Sequence, residues 1–414
     1  MRFVKILALI FAVSLQIIGC RDDTPRAKSG SQVSADLARA KDGAGQQQRV
    51  NSDKLQQVAA FWGPMPTGVA VSRSGRVFVN FPRWGDAVEF TVGEVKDGQV
   101  VPYPNLDINK FNDGQDPARQ LVSVQSVVVD EQDRLWIVDT GSINFTPIKP
   151  GGAKLICVDL KQDKIVKTID FRSSPDAVLP TTYLNDIRFD LKRGSAGLGY
   201  ITDSSDSGPN GIIVVDLESG EAWRRLSDHP STKAQQNFAP IVEGRPLMAR
   251  VPGQSEAYPK IGSDGIAISG DKKTLYYCPL IGRHLYSVSV DALSDRRTSD
   301  ADAARTVKDL GDRGYCSDGL ETDRKSGRIF LTDYEHNAIH VRNADGGNDR
   351  VLVADPRILW PDSMAAGEDG MLYFTANQLH RQKQYNEGKD LRQQPYSLFR
   401  IPIEIGGSET AMAK

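Results

Sequence analysis

Six small polar residues recur along the chain at spacings of 58, 60, 79, 54 and 44 residues: Thr67, Gln125, Asn185, Asp264, Asp318 and Asp362. Each stands just ahead of a short apolar run, as in Ser263-Asp-Gly-Ile-Ala-Ile268, Ser317-Asp-Gly-Leu-Glu-Thr322 and Pro361-Asp-Ser-Met-Ala-Ala366. If these positions converge, three aspartates become like charges at close range. That raises some of their pKa values, or draws in an oxygen-preferring cation such as calcium or a ligand bearing an amine. The plainer use of the same residue types is local, because Asp and Asn cap strands and hydrogen-bond the backbone of turns.

A second apolar run follows each polar residue and, except after Asp264 where it ends on Pro279-Leu280, ends on another polar or aromatic group: Arg83 and Trp84, Asp139, Asp203, Asp333 and Tyr334, and Asn377. Together the two sets give the candidate ligand site: Thr67, Arg83, Trp84, Gln125, Asn185, Asp264, Asp318, Asp333, Tyr334, Asp362 and Asn377. Of the five histidines, His336 is the one that falls at the end of a second run, and it is the candidate general base. The sequence contains no Gly-x-Ser-x-Gly, His-Glu-x-x-His or phosphate-binding Gly-x-x-x-x-Gly-Lys pattern.

The elements that carry these groups repeat. Second runs such as Arg134-Leu-Trp-Ile-Val-Asp139 and Arg328-Ile-Phe-Leu-Thr-Asp333 follow turn residues, and third runs such as Gly211-Ile-Ile-Val-Val-Asp216 come after them. Three or four short strands per unit, six times over, predict an all-β fold, a six-bladed β-propeller; a two-domain sandwich is the competing architecture. In a blade the first strand leaves the polar residue and the second returns, so both sets of candidates share one face, and short turns such as Ser74-Gly75 occupy the other. The insertion 227–261 is expected to enter on the candidate face as a lid or as a plain surface loop. Leu55-Gln-Gln-Val-Ala-Ala-Phe61 is expected to join the last unit and close the ring, removing an open edge.

With 414 residues, 39% hydrophobic and a formal charge of −2, the chain can bury a large core and offers no electrostatic case for nucleic acid. Arg2 and Lys5 precede an apolar stretch, Ile6 to Ile18, that reads as a signal segment. Its end, Ile17-Ile18-Gly19-Cys20, resembles a bacterial lipoprotein signal, which implies lipidation of Cys20; an ordinary signal peptide is the alternative. Arg21 after that cysteine implies the outer membrane, facing the periplasm. The expected organisation is a signal peptide over 1–19, a flexible tether over 20–54, the propeller over 55–405 and a disordered tail over 406–414. The partners follow: a small-molecule ligand, a membrane through the lipid anchor only, and no nucleic acid. Cys157, Cys278 and Cys316 form no disulfide framework, and Cys278 and Cys316 are buried thiols or a pair.

Phe81-Pro82-Arg83-Trp84, Arg134-Leu-Trp-Ile-Val-Asp-Thr-Gly141, Leu275-Tyr-Tyr-Cys-Pro-Leu280 and Ala222-Trp223-Arg224 resemble the major royal jelly protein and Yellow family. The resemblance implies a secreted six-bladed propeller and either dopachrome tautomerase-like conversion or binding of an amine or sterol in the tunnel. Asp133 stands where that family has a disulfide cysteine. A more distant resemblance is to gluconolactonase-like propellers. It implies calcium or another divalent metal at Asn185 and Asp264 and metal-dependent lactone hydrolysis, although Thr67 stands where those proteins have a glutamate.

Overall fold

The computed structural model describes residues 49–404 apart from 113, 344–346 and 348. The expected signal peptide, Cys20, most of the tether and the tail lie outside the described residues. Six four-stranded antiparallel sheets follow one another along the chain. Blade I is Val69–Val71, Val77–Asn80, Val92–Lys96 and Gln99–Pro102; blade II is Val124–Val129, Arg134–Thr140, Ala153–Asp159 and Lys164–Asp170. Blade III is Leu184–Asp190, Leu198–Asp203, Gly211–Asp216 and Ala222–Arg225; blade IV is Ser263–Ile268, Thr274–Pro279, His284–Ser289 and Lys308–Asp312. Blade V is Leu320–Thr322, Ile329–Asp333, Ala338–Arg342 and Arg350–Ala354. Blade VI takes Pro361–Ala366, Met371–Ala376 and Tyr396–Pro402 from one end of the chain and Gln56–Phe61 from the other.

Each blade's first strand lies beside the first strands of its two neighbours, and blade VI abuts blade I, so the ring is closed. Gln56–Phe61 pairs antiparallel with Tyr396–Pro402 from Gln56 opposite Arg400 to Phe61 opposite Tyr396. Ala59 and Phe61 are buried there. The last residues expected in the tether are also held: Val50 pairs with Ala354, and the Asn51 amide donates to the Leu352 carbonyl at 2.8 Å. The Val50 backbone and the Asn51 side chain cap the outer edge of blade V, so the described body begins before Leu55.

Apolar side chains from facing blades form the core, which is why first and second strands read as nearly continuous apolar runs instead of alternating ones. The polar residues interrupt those runs at breaks in strand register. Shifts fall between Val124 and Ser126, Leu184 and Ile187, Ser263 and Ile266, and Pro361 and Met364. A bulge re-aims a side chain out of the ladder, and here it frees Gln125, Asn185, Asp264 and Asp362 from the alternation. Two glycines bring the strands together. A Cβ on Gly265 would sit 2.2 Å from the Asp318 carbonyl oxygen, and one on Gly319 would sit 2.3 Å from that of Asp362. No larger residue permits that approach, and the approach is what brings the three aspartates together.

Among the described residues no helix is long and apolar enough to cross a membrane. The three cysteines among them are buried free thiols, so Cys278 and Cys316 do not pair.

Candidate functional site

Asp264, Asp318 and Asp362 converge from blades IV, V and VI, and all three are buried. The carboxyls of Asp264 and Asp318 are within hydrogen-bonding reach of each other. Burial raises all three acids, and the charge of Asp318 adds to the effect on Asp264 and Asp362. Asp318 is raised to about 6, held below its partners by hydrogen bonds from Trp360 and Asp264. Two buried carboxyls sharing a proton is the standard arrangement for separating an acid from a base at neutral pH.

The surroundings orient each member. The Trp360 indole N–H donates to Asp318 Oδ2 at 2.7 Å, and the Asn377 amide donates to Asp362 Oδ2 at 2.6 Å. Ser204 Oγ accepts from the Asn185 amide at 2.6 Å and lies 3.1 Å from Asp264 Oδ2. Tyr334 stacks on Trp360 with centroids 4.0 Å apart, and its hydroxyl donates to the Leu280 carbonyl. Across the mouth, the Trp84 indole donates to the Tyr183 hydroxyl, which in turn donates to Gln125 Oε1, and Phe145 stacks on Tyr183 at 4.4 Å. The structure thus brings Gln125, Asn185, Asp264, Asp318, Tyr334, Asp362, Asn377 and Trp84 to this mouth together with Ser204, which ends a second strand, and it adds Trp360, Tyr183 and Phe145, which no sequence pattern marked.

Other candidates are engaged in holding the fold. The Thr67 hydroxyl donates to the Gln125 carbonyl and accepts from Asn80. The Arg83 guanidinium donates to the carbonyls of Val122 and Asn109. Asp139 accepts from the amides of Val122 and Ser123 and from buried Lys154 at 2.7 Å. Asp333 accepts from two imidazoles, His336 Nδ1 at 2.9 Å and His340 Nε2 at 3.1 Å. His336 is mostly exposed and no hydrogen bond links it to the carboxyl trio.

His340 also reaches Asp349 at 3.1 Å and stacks on Tyr315 at 4.0 Å. Burial opposes its charge, but the bonds to Asp333 and Asp349 outweigh burial and raise it to about 9. A raised histidine contributes stability that is complete below its ordinary value of 6.5 and is lost as pH rises through about 9. Unfolding free energy should therefore fall between pH 7 and 9, and His340→Gln should flatten that slope; parallel slopes in denaturant titrations of the two proteins would refute the assignment.

One residue beyond the trio, the first strands open into a chamber of about 300 Å³ lined by Ser126, Asp186, Arg188, Glu321 and Ser363. Arg188 donates to Asp186 at 2.7 Å and pairs with Glu321 at 3.0 Å, giving two carboxyls to one cation. The chamber continues past Ala70, Ala365 and Gly367 to the turns of the opposite face, at Lys272, Lys325 and Glu368. The chamber thus reaches the face expected to carry only turns.

The insertion 227–261 does cover the mouth side. Val242 and Leu247 are buried in the cluster of Leu280, Tyr334 and Trp360, and the Ile241 amide donates to Glu335 at 2.7 Å.

A lactonase-type metal does not fit these residues. Calcium needs six to eight oxygen ligands, several of them anionic. Here Thr67 is turned to blade II backbone, and burial beside Asp318 raises the Asp264 carboxyl and disfavours its anionic form. Among the described residues no three His, Cys, Asp or Glu side chains are grouped as a metal ion requires.

The comparisons with known proteins agree with this picture. The chain is 24% identical over 333 residues to the Yellow-related salivary protein SP04 of Phlebotomus argentipes, covering 76% of this chain and 78% of that protein. It is 25% identical over 293 residues to the dopaminechrome tautomerase of Drosophila melanogaster, covering 66% of this chain and 59% of that protein. Among solved structures, a luciferin-regenerating enzyme matches with a TM-score of 0.50 at 11% identity, covering 86% of this chain and 95% of that one, a likeness of fold alone. Residues 122–399 match the family described as Major royal jelly protein, and with a match over well more than half its length this chain belongs to that family.

Proposed function

We propose that the protein binds a small aromatic, amine-bearing or quinonoid molecule in its tunnel and catalyses a proton-transfer isomerisation of it. The observation that carries this reading is the buried Asp264–Asp318 pair, whose carboxyls are both raised by burial, with Trp360 bonded to Asp318 and Ser204 beside Asp264. The similarity to a dopaminechrome tautomerase supports the same reaction class. A tautomerisation balances within one molecule. The Asp318 carboxylate takes a proton from a substrate carbon, the Asp264 carboxyl delivers one to a substrate oxygen, the ring electrons shift between them, and the pair exchanges its proton to reset. Asp186 and Glu321, both held against Arg188, set two carboxyls on the chamber wall within reach of a substrate ammonium.

The test is conversion of dopaminechrome by the purified full-length protein, with dopamine binding followed by thermal shift. Acceleration over buffer that survives a chelator is expected. No acceleration and no shift at millimolar ligand would sink the proposal, and metal-dependent hydrolysis of a lactone would replace it.

The same reading places the protein outside the cytoplasm on a lipid anchor at Cys20, in the outer membrane facing the periplasm. The lipoprotein-like Ile17-Ile18-Gly19-Cys20 supports the anchor, and the similarity to a salivary protein supports only a place outside the cytoplasm. Cys20→Ala should move the protein from the membrane fraction to the soluble fraction. Unchanged partitioning in detergent-free fractionation would refute the anchor.

A further inference from the structure

We propose that Trp360 is the positioning residue of the acid pair: its indole N–H marks Asp318 as the carboxylate and leaves the proton on Asp264. This assignment rests on the acid–base reading above, and no sequence motif pointed to Trp360.

The geometry is specific. Trp360 is fully buried and donates to Asp318 Oδ2 at 2.7 Å, whereas Asp264 receives no such fixed donor beyond the Ser204 hydroxyl at 3.1 Å. A hydrogen bond to an ionised acceptor is stronger than one to a neutral acid, so a fixed donor on one of two coupled carboxyls decides which of them ionises. An indole suits the task because it donates only and cannot itself take the proton.

The backbone shows that this placement is imposed on Trp360. Its φ is 55°, a left-handed conformation that is rare for a bulky side chain, immediately ahead of Pro361. Such conformations persist only where the surroundings over-determine them. Here the ring is held between Tyr334, at 4.0 Å and 11°, and His380, at 5.7 Å and 17°. The carbonyl of Trp360 accepts from the Asn377 amide, the residue that binds Asp362. One strained residue thus connects two members of the trio.

The other titratable groups around the pair are accounted for. Asp186 and Asp362 are acids whose charge acts on the trio, and Glu243 pairs with His380, whose pKa is lowered by burial. Tyr334, Tyr385 and Cys278 are all raised by burial and stay neutral through the acid range.

Tryptophan emission of the full-length protein, titrated from pH 4.5 to 8, tests the assignment, because an indole bonded to a carboxyl changes emission when that carboxyl ionises. A transition centred near pH 6 is expected in the wild type, absent in Trp360→Phe and absent in Asp318→Asn, which keeps Trp360 and removes only the titrating group. If Trp360→Phe fails to fold, the comparison of wild type with Asp318→Asn decides alone. Persistence of the transition in Asp318→Asn would overturn the proposal, since it would assign the signal to His380. In the conversion assay, Trp360→Phe should move the acid limb of the pH–rate profile to higher pH with KM unchanged. Loss of the emission transition without any turnover would leave the pairing standing and refute the tautomerase reading; turnover with an unmoved pH profile in Trp360→Phe would do the reverse.

Discussion

Asp264→Asn and Asp318→Asn are each expected to lower dopaminechrome conversion by about 10²–10⁴-fold, the usual weight of one positioned acid or base. Asparagine keeps the shape of the carboxyl and its place against Trp360 and Ser204, so the loss should fall on kcat rather than on KM. The same variants should change stability in the opposite direction at neutral pH. A carboxyl whose folded-state pKa is raised contributes stability that is complete below its ordinary value of 3.8 and is lost as pH rises through about 6, because the folded protein retains a proton that the unfolded chain releases. Wild-type unfolding free energy should therefore decline between about pH 4 and 6, and Asp318→Asn should make that decline shallower, leaving the part contributed by Asp264 and Asp362, which burial also raises. Glu243 and Asp355 do not obscure the window. His380 bonding first, for Glu243, and the Arg357 and Ser52 bonds that overcome burial, for Asp355, hold each near 2, so their stabilisation is lost only in more acidic solution. An unchanged conversion rate in both variants would mean that the trio serves the fold alone.

Deleting Arg49–Trp62 from the full chain is expected to destabilise the propeller severely. Leu55 and Phe61 are buried, and burying two side chains of that size contributes roughly 3–6 kcal/mol. That is a large part of the about 5–15 kcal/mol by which proteins are stable. The deletion also strips the outer partner from Tyr396–Arg400, leaving blade VI with an open edge prone to pair with another chain. Phe61→Ala should cost about 3–5 kcal/mol, since the cavity would open beside Phe81. Denaturant unfolding and light scattering measure both effects. A deletion variant that unfolds at the wild-type denaturant midpoint would show that the ring does not need its N-terminal strand.

The repeat was legible because each blade must solve the same problem: two apolar strands between neighbouring blades, with a polar residue where the first strand begins. Asp264, Asp318 and Asp362 stood out for that reason, and so did Leu55–Phe61, an apolar run otherwise without a partner. Asp186 and Arg188 left a fainter trace, since they alternate with Ile187 and Phe189 on a first strand and so share a face. Trp360, Tyr183 and Phe145 left none. They lie in connections, where no period constrains side-chain direction, and Phe145 and Trp360 adopt left-handed backbone that neither residue type announces. Asp139, Asp203 and Asp333, expected on the same face from the ends of second strands, went to backbone amides, arginine and imidazole, because a carboxylate at a strand end binds the nearest donors that the fold supplies. The sequence by itself thus determined the number of blades, the closing strand and the acids that begin the inner strands, since periodicity and burial act locally. Which of those acids meet, and what holds them, emerged only from the packing of neighbouring blades, which sets Trp360 2.7 Å from Asp318, 42 residues away, an arrangement no local pattern encodes.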